Sequence, residues 1–290
     1  MKLDRKVKKR LILVDLDGTV LDESGTKIHP ITRDALIKAQ KDGHNVCIIT
    51  GRPHRASKRF YSELELDTLL TNFDGAHIHD PKKRKFKRII LPISEEITKE
   101  IINNKIIKEN TETILLEYVT KAIASQNDQS LETFFHLDDV EGDEYFVDEV
   151  NKWDGPSTNI VLKLKSQNAL DHVLRSLEEY HNTIKIQTGR VYGQLKQSGD
   201  LPMISLTNKL ATKAYSAEIL AQYYNCDMRD VIAFGDQMND FQMLKAVGYG
   251  IAMKNGNPDL KNIATGITFL TNDEGGVGDY LTKLLNGENV

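Results

Sequence analysis

The sequence predicts an α/β protein in which a parallel-sheet core is divided by an inserted α+β module. Strand-like and helix-like segments alternate over the first 80 residues, a different pattern follows, and the alternation returns from about Met203. Strand–helix–strand order with short connections is typical of parallel sheets covered by helices on both faces. We therefore assign residues 1–81 and 191–290 to the core and residues 82–190 to the inserted module.

The first core segment begins with the apolar run Leu11–Val14, which predicts a buried strand. A helix is predicted over Thr32–Lys41, where apolar residues recur at helical spacing. Asn45–Ile49 predicts the second strand. Pro53 opens a second helix, because proline is favoured in the first turn.

The middle of the chain mixes strands and helices without the regular alternation. Predicted strands cover Thr113–Val119, Thr133–Leu137, Asn159–Leu164, Thr183–Gln187 and Val191–Gln197, and predicted helices cover Ser94–Lys108 and Asn168–Tyr180. The long polar stretch from Asp138 to Pro156 predicts a loop. This block is therefore interpreted as an α+β module.

The last segment resumes the first pattern. Helices are predicted over Thr212–Tyr224, Asp240–Ala246, Asp259–Ile263 and Gly276–Leu285, and strands over Val231–Phe234 and Tyr249–Ala252. These elements complete the predicted parallel-sheet core.

Composition narrows the function classes. The net charge of −4 gives no reason to expect nucleic-acid binding, and no stretch approaches the roughly 20 apolar residues of a membrane span. Two cysteines, Cys47 and Cys226, form no disulfide framework, which favours a reduced, cytoplasmic protein. We expect no nucleic-acid or membrane partner, and a monomer or weak homodimer.

Two carboxylates, Asp15 and Asp17, follow the first strand directly. Side chains alternate faces along a strand, so both can point the same way if extended geometry persists. Adjacent anions are costly unless a cation or proton lies between them, and oxygen ligands favour Mg²⁺. The ordinary alternative is a solvated Asp-Gly turn.

Three further polar clusters follow in chain order: Thr50-Gly51-Arg52 after the second strand, Lys213 in a helix, and Gly235 to Asp240 after a later strand. Alone, Thr50 is explained as a helix cap, Lys213 as a solvated lysine and Gly235-Asp236 as a turn. Ligands of open α/β sheets bind outside the carboxyl ends of the strands. These clusters are therefore expected to meet at the same edge as Asp15.

Together the four clusters resemble the haloacid dehalogenase superfamily of phosphatases, and most closely its Cof-type branch (C2 cap, subfamily IIB). Asp15 to Thr19 matches its Asp-x-Asp-x-Thr/Val motif, Thr50 the second motif, Lys213 the third, and Gly235 to Asp240 the fourth. Segments around Asn255-Gly256 and Gly275-Gly276 also look like that branch. The resemblance implies a Rossmann-like core with an inserted cap domain.

Two residues depart from the branch pattern. Asp74 stands where the branch usually carries asparagine, which adds a carboxylate near the active edge. Ala214 follows Lys213 where glycine is usual, so Lys209 is a rival for the third motif.

The resemblance implies a role for each residue. Asp15 would be the nucleophile and Asp17 the general acid and base. Phosphoryl oxygens would be held by Thr50, Lys213, Asn239 and the backbone N–H groups around Leu16 and Gly51. Mg²⁺ would be bound by the Asp15 carboxylate, the Asp17 backbone carbonyl, Asp236 and Asp240, the last directly or through water. Candidate cap contacts to the leaving group are His136, Asp138, Tyr145, Trp153 and Arg190.

The implied function is a Mg²⁺-dependent phosphatase of small phosphorylated metabolites, with sugar phosphates preferred. The alternatives are a phosphatase of pyridoxal phosphate or flavin mononucleotide, a phosphomutase, and a non-catalytic sensor of phosphorylated metabolites. Asp17 argues against the sensor, because binding alone does not require an acid/base carboxylate.

Overall fold

The computed structural model describes residues 9–134, 137, 144–188, 190, 191, 194, 195 and 202–290. The strands in chain order are β1 (Leu11–Val14), β2 (Asn45–Ile48), β3 (Leu70–Asn72), β4 (His77–His79), β5 (Ile89–Ile90), β6 (Thr111–Tyr118), β7 (Lys121–Ala124), β8 (Glu144–Val147), β9 (Asn159–Leu164), β10 (Ile184–Thr188), β11 (Arg190–Val191), β12 (Gln194–Leu195), β13 (Met203–Asn208), β14 (Val231–Gly235), β15 (Tyr249–Ala252) and β16 (Gly266–Ile267). The helices are α1 (Pro30–Lys41), α2 (His54–Glu63), α3 (Glu95–Asn103), α4 (Lys105–Asn110), α5 (Gln129–Phe134), α6 (Ala169–Leu177), α7 (Lys213–Tyr223), α8 (Phe241–Ala246), α9 (Pro258–Ile263) and α10 (Gly276–Leu285).

The chain divides into two compact units. Unit 1 holds the described residues up to 50 together with 59–88 and 212–290, and unit 2 holds Gly51–Lys58 and the described residues of 89–211. The sequence predicted the boundaries at 81/82 and 190/191. In the structure the basic stretch Lys82–Arg88 belongs to unit 1, and β13 belongs to unit 2.

Unit 1 is built on a parallel sheet. Among the described residues its strand order is β16-β15-β14-β1-β2, so β1 lies between β14 and β2. Successive residues of β1 face opposite sides: Ile12 and Val14 join one apolar core, and Leu11 and Leu13 join the other. Both faces are buried, so the carboxyl edge of the sheet remains for polar chemistry. The predicted α/β class is confirmed.

Unit 2 contains a mainly antiparallel sheet with the order β10-β13-β9-β6-β7-β8 among the described residues. On one face Ile114, Leu116 and Ile160 share an apolar core with Ile107 of α4 and Val173 of α6. Alternation along β6 places Thr113, Leu115 and Glu117 on the opposite face.

Three predicted elements of unit 2 were wrong in detail. Residues 133 and 134, predicted as strand, end helix α5; residues 135, 136 and 138–143 lie outside the described part. Within the predicted loop, Glu144–Val147 forms β8, which pairs in parallel with β7. The predicted helix Ser94–Lys108 is two helices, because the Asn104 side chain accepts hydrogen bonds from the N–H groups of Ile106 and Ile107 and starts a new one.

Strand β7 was not predicted, because the turn before it lacks glycine or asparagine. Val119 adopts a φ of 58°, a conformation unusual for a β-branched residue. Its N–H donates to Thr158 Oγ1 at 3.2 Å, a contact with a residue distant in sequence that supports the turn.

The predicted strand Val191–Gln197 overlaps two short strands, β11 and β12. Residues 192, 193, 196 and 197 lie outside the described part of the chain.

Among the described residues, no helix combines the length and apolar character needed to cross a bilayer.

A buried polar chain crosses the second face of the unit 2 sheet. The Arg55 guanidinium is paired with Glu117, and both side chains are essentially inaccessible, at 2% and 0% exposure. Asn159 Nδ2 donates to Glu117 Oε2 at 2.7 Å, and Ser205 Oγ donates to Asn159 Oδ1 at 2.7 Å. A buried ion pair is sensitive to loss of one partner, since the remaining charge is left without compensation.

We predict that Glu117→Ala destabilises unit 2 by about 3–5 kcal/mol, because it strands the buried Arg55 charge. Urea unfolding followed by the fluorescence of Trp153, the single tryptophan, measures this effect. Lys152→Ala is the matched control: it breaks an ion pair with Asp148 whose side chains are 60% and 45% exposed, and the midpoint should not move. Equal midpoints for Glu117→Ala and the wild type would contradict the prediction.

Candidate active site

The candidate site lies at the carboxyl edge of the parallel sheet in unit 1. Asp15 directly follows β1, and Asp236 directly follows the neighbouring strand β14. Parallel pairing of these strands brings both carboxylates to one edge. Thr50 follows the next strand, where its N–H donates to the Thr71 carbonyl at 3.1 Å.

Lys213 supplies a positive charge at this edge of the sheet. It begins α7, whose N-terminus is capped by the Thr212 side chain accepting from the Tyr215 N–H at 3.1 Å. The ammonium is fully buried and lies 2.9 Å from Asp15 Oδ1 and 2.7 Å from Asp240 Oδ1. Lys209, the rival for this position, is exposed in unit 2, and its Nζ donates to the His181 carbonyl.

The electrostatics of the site follow from this burial. Burial alone would lower the pKa of Lys213, but the carboxylates of Asp15, Asp240 and Asp74 raise it above its ordinary value. Burial raises the pKa of Asp15 well above its ordinary value; Lys213 opposes this shift, and the charges of Asp240, Asp236 and Asp17 add to it. The site therefore holds an excess of negative charge that one lysine compensates only in part.

Asp236 is held against the turn that follows β1. Thr19 Oγ1 donates to its Oδ1 at 3.4 Å, and Gln237 Nε2 donates to its Oδ2 at 3.0 Å. Gly18, at a φ of 72°, makes this approach possible, because a Cβ there would lie 2.3 Å from Asp236 Oδ2. Asn255 Nδ2 donates to the Gly18 carbonyl at 2.7 Å and holds the turn from the other side.

Asp240 has both carboxylate oxygens occupied. Oδ1 accepts from Lys213, and Oδ2 accepts from the backbone N–H groups of Asp236 and Gln237 at 3.1 and 3.0 Å. It therefore ties the loop after β14 to the buried lysine. Gly235 leaves room for this arrangement, since a Cβ there would lie 2.4 Å from Asp240 Cγ.

The remaining predicted residues occupy different surroundings. Asp17 is buried in the turn after β1, and the side chain of Leu16 lies in the apolar core, which leaves only its backbone for binding. Asn239 Nδ2 donates to Asp74 Oδ1 at 3.1 Å. Gly51 belongs to unit 2.

Two of the predicted cap contacts, Tyr145 and Trp153, make hydrogen bonds within unit 2. Tyr145 donates to Glu132 Oε1 at 3.2 Å, and Trp153 Nε1 donates to the Pro156 carbonyl at 3.2 Å. His136, Asp138 and the side chain of Arg190 lie outside the described part of the chain.

Sequence reasoning assigned no role to three residues that support the site, namely Thr19, Gln237 and Asn255. All three stand inside or beside the recognised motifs, which was the available signal. The partners of Thr19 and Asn255 are not visible from sequence, because they lie 217 and 237 positions away, whereas Gln237 binds its neighbour Asp236.

The carboxylates fit a divalent cation. Asp15, Asp236 and Asp240 each offer an oxygen, and the three oxygens lie within 4.8 Å of one another. Within the described residues this group does not include the Asp17 carboxylate. Hard oxygen donors and unbalanced negative charge are what Mg²⁺ prefers. Asp15 and Asp236 are suited to direct coordination, whereas the occupied oxygens of Asp240 favour contact through water.

Comparison with known proteins agrees with this geometry. A family model described as haloacid dehalogenase-like hydrolase matches residues 12–281. The Bacillus subtilis 5-amino-6-(5-phospho-D-ribitylamino)uracil phosphatase YitU is 30% identical over 288 residues, which cover 96% of this chain and 98% of the relative.

Two solved structures share the fold. A haloacid dehalogenase-like hydrolase from Bacteroides thetaiotaomicron matches with a TM-score of 0.79 and 23% identity, covering 95% of this chain and 99% of its own. The subclass IIB sugar phosphatase BT4131 matches with a TM-score of 0.72 and 19% identity, covering 94% and 98%. The resemblance inferred from the four motifs is thereby confirmed.

We predict that Gly18→Ala weakens Mg²⁺ binding by about tenfold or more, because the added Cβ displaces Asp236. Titration calorimetry with MgCl₂ measures the affinity. Gly43→Ala is the matched control, since Gly43 also has a positive φ but a Cβ there would meet nothing within 4 Å. Both variants place alanine at a positive φ, and only Gly18→Ala should bind Mg²⁺ more weakly. Unchanged affinity in Gly18→Ala would count against the assignment of Asp236.

The raised pKa of Asp15 has a consequence for stability in the absence of metal. A carboxyl with a raised folded-state pKa binds its proton more tightly when folded, so its stabilising contribution is present at low pH and is lost as the pH rises through that pKa. In EDTA at neutral pH, Asp15→Asn should therefore unfold at a higher temperature than the wild type.

This difference should shrink as the pH falls toward the ordinary aspartate value of 3.8. Thermal unfolding followed by circular dichroism at a series of pH values measures it. A midpoint for Asp15→Asn at or below the wild-type midpoint at every pH would contradict the prediction.

Proposed function

We propose that this chain, which belongs to the haloacid dehalogenase-like hydrolases, is a Mg²⁺-dependent phosphatase of small phosphorylated metabolites that forms an aspartyl-phosphate intermediate. The observation that carries the proposal is the fully buried Lys213 ammonium between Asp15 and Asp240, with Asp236 beside them. Such a group can stabilise negative charge on a transferring phosphoryl group and on the nucleophile.

Asp15 is the nucleophile of the proposed reaction. Its carboxylate oxygen attacks phosphorus, the phosphorus–oxygen bond to the leaving alcohol breaks, and the phosphoryl group is transferred to Asp15. A carboxylate and a phosphate dianion repel each other, and Lys213, 2.9 Å from Asp15, lowers that repulsion. Mg²⁺, when bound by Asp15, Asp236, the Asp17 carbonyl and, through water, Asp240, supplies further positive charge at this edge.

Asp17 is the proposed general acid and base. Its carboxyl gives a proton to the departing alkoxide and then takes one from the water that cleaves the aspartyl phosphate. Its carboxylate stands outside the three-residue oxygen group, which supports a role in proton transfer rather than in metal coordination. Free Asp15 and inorganic phosphate result.

Phosphoryl oxygens are proposed to be held by Thr50, Asn239, Lys213 and the N–H groups of Leu16 and Gly51. Thr50 is buried at the carboxyl end of the second strand. Its N–H donates to the Thr71 carbonyl at 3.1 Å, and its carbonyl accepts from the Asp74 N–H at 3.0 Å. A preorganised donor set costs little reorganisation during reaction.

For the substrate we propose a sugar or sugar-alcohol phosphate. The supporting observation is the similarity to YitU along 96% of this chain, since the substrate in that protein's name carries its phosphate on an open ribityl chain. The inserted unit 2 is proposed to act as the cap that recognises the leaving group.

The proposal is tested by phosphate release from a panel of sugar, sugar-alcohol, nucleotide and cofactor phosphates, pyridoxal phosphate and flavin mononucleotide among them, with Mg²⁺ or with EDTA. We expect Mg²⁺-dependent release that favours sugar and sugar-alcohol phosphates and is abolished by Asp15→Asn. Asp34→Asn, at an exposed aspartate of α1, controls for handling and should retain full activity.

Each contrary outcome has a definite meaning. Retained turnover in Asp15→Asn would overturn the covalent mechanism. Release that is equal in EDTA would overturn the metal dependence. A clear preference for pyridoxal phosphate or flavin mononucleotide would replace the proposed substrate class with cofactor phosphates.

A further inference from the structure

Asp74 lies beside the site but belongs to none of the four motifs. It sits in the turn Phe73–Gly75 that follows β3, and its side chain is 3% exposed. Phe73 and Asp74 both adopt positive φ, at 51° and 53°. Strained backbone of this kind persists where surrounding contacts hold it, and it is frequent at functional sites.

Asp74 interacts with three proposed members of the site: Asn239, Thr50 and Lys213. Its Oδ1 accepts from Asn239 Nδ2 at 3.1 Å, although the two residues are 165 positions apart. Its N–H donates to the Thr50 carbonyl at 3.0 Å. Its negative charge is one of those that stabilise the Lys213 ammonium.

The turn is also locked against the helix that carries Lys213. Gly75, at a φ of 116°, packs so closely that a Cβ there would lie 2.7 Å from the Thr212 carbonyl and 2.7 Å from Ser216 Oγ. The turn that carries Asp74 therefore packs directly against the first turns of α7.

The chemistry of a carboxylate determines which way the Asn239 amide faces. A carboxylate only accepts hydrogen bonds, so the group that Asn239 directs at Asp74 must be its NH₂. An asparagine at position 74, the residue usual in the Cof-type branch, could accept or donate and would permit both amide orientations. The NH₂ group has two hydrogens; one is engaged by Asp74, and the second remains for another acceptor.

We propose that Asp74 is a positioning residue for phosphate binding: it holds the Asn239 amide with its NH₂ directed inward, so that the second hydrogen binds a phosphoryl oxygen. This inference rests on the proposed function. It assigns to Asp74 no contact with the substrate: the hydrogen bond that its side chain accepts affects phosphate binding through Asn239.

The test compares two variants that suit the positive φ of position 74. Asp74→Asn and Asp74→Gly both remove the charge and both tolerate the left-handed backbone, but only asparagine keeps an acceptor for Asn239. The effect of the lost charge therefore cancels between them. Far-ultraviolet circular dichroism and thermal unfolding check that both variants fold.

Binding of inorganic phosphate in the presence of Mg²⁺, measured by titration calorimetry, is the main readout. Affinity should be about tenfold weaker in Asp74→Gly than in Asp74→Asn, because the amide loses its partner. In the Asn239→Ala background the two substitutions should give equal affinities, since Asp74 acts through Asn239.

Two results would overturn the inference: equal phosphate affinities of Asp74→Gly and Asp74→Asn in the otherwise wild-type protein, or a difference that persists in the Asn239→Ala background. Failure of the proposed function is recognised separately. Phosphate bound by a wild type that releases none from any ester would overturn the phosphatase and leave the variants to decide the role of Asp74. A wild type that binds no phosphate would overturn both.

Discussion

The site in unit 1 depends on one electrostatic constraint: buried carboxylates can share a sheet edge only if a cation lies among them. Lys213 is that cation, fully buried and within 3 Å of both Asp15 and Asp240. Its charge does not suffice, because the pKa of Asp15 is still raised by burial and by neighbouring aspartates. The remaining negative charge fits this edge of the sheet to a divalent cation.

The parallel sheet explains why this chemistry is confined to one edge. The central strand β1 is apolar on both faces, and each face is covered by its own hydrophobic core. Polar residues are therefore placed where the strand stops. The crowding of side chains at this edge also explains two glycines. Gly18 and Gly235 allow the Asp236 and Asp240 side chains to approach to distances that a Cβ would block.

In unit 2 the buried charged groups Arg55 and Glu117 compensate each other directly. Arg55 and Glu117 neutralise each other within the unit, and Asn159 and Ser205 extend the pair into a chain of hydrogen bonds. In unit 1 the charges leave an excess that suits a ligand, whereas the Arg55–Glu117 pair is internally balanced. The contrast supports a catalytic role for the first arrangement and a structural role for the second.

Much of the fold and the site could be predicted from the chain because the signals are local. The apolar run Leu11–Val14 followed at once by carboxylates, and the order of the four motifs, need no knowledge of distant contacts. Strand β7 was missed, because its turn uses Val119 at positive φ and depends on Thr158 for support.

What only the tertiary structure decided is which distant side chains meet. Three contacts join residues that sequence spacing does not relate: Lys213 with Asp15 and Asp240, Asn239 with Asp74, and Asn255 with the Gly18 carbonyl. A carboxylate or an amide can pair with many partners, and its own sequence neighbourhood does not select one. The sequence by itself determined the residue types and their placement at strand ends, because hydrophobic periodicity is a local property. Packing of the complete chain decided their partners and their charge balance, because burial and Coulomb interactions depend on distance in space rather than on position in the chain.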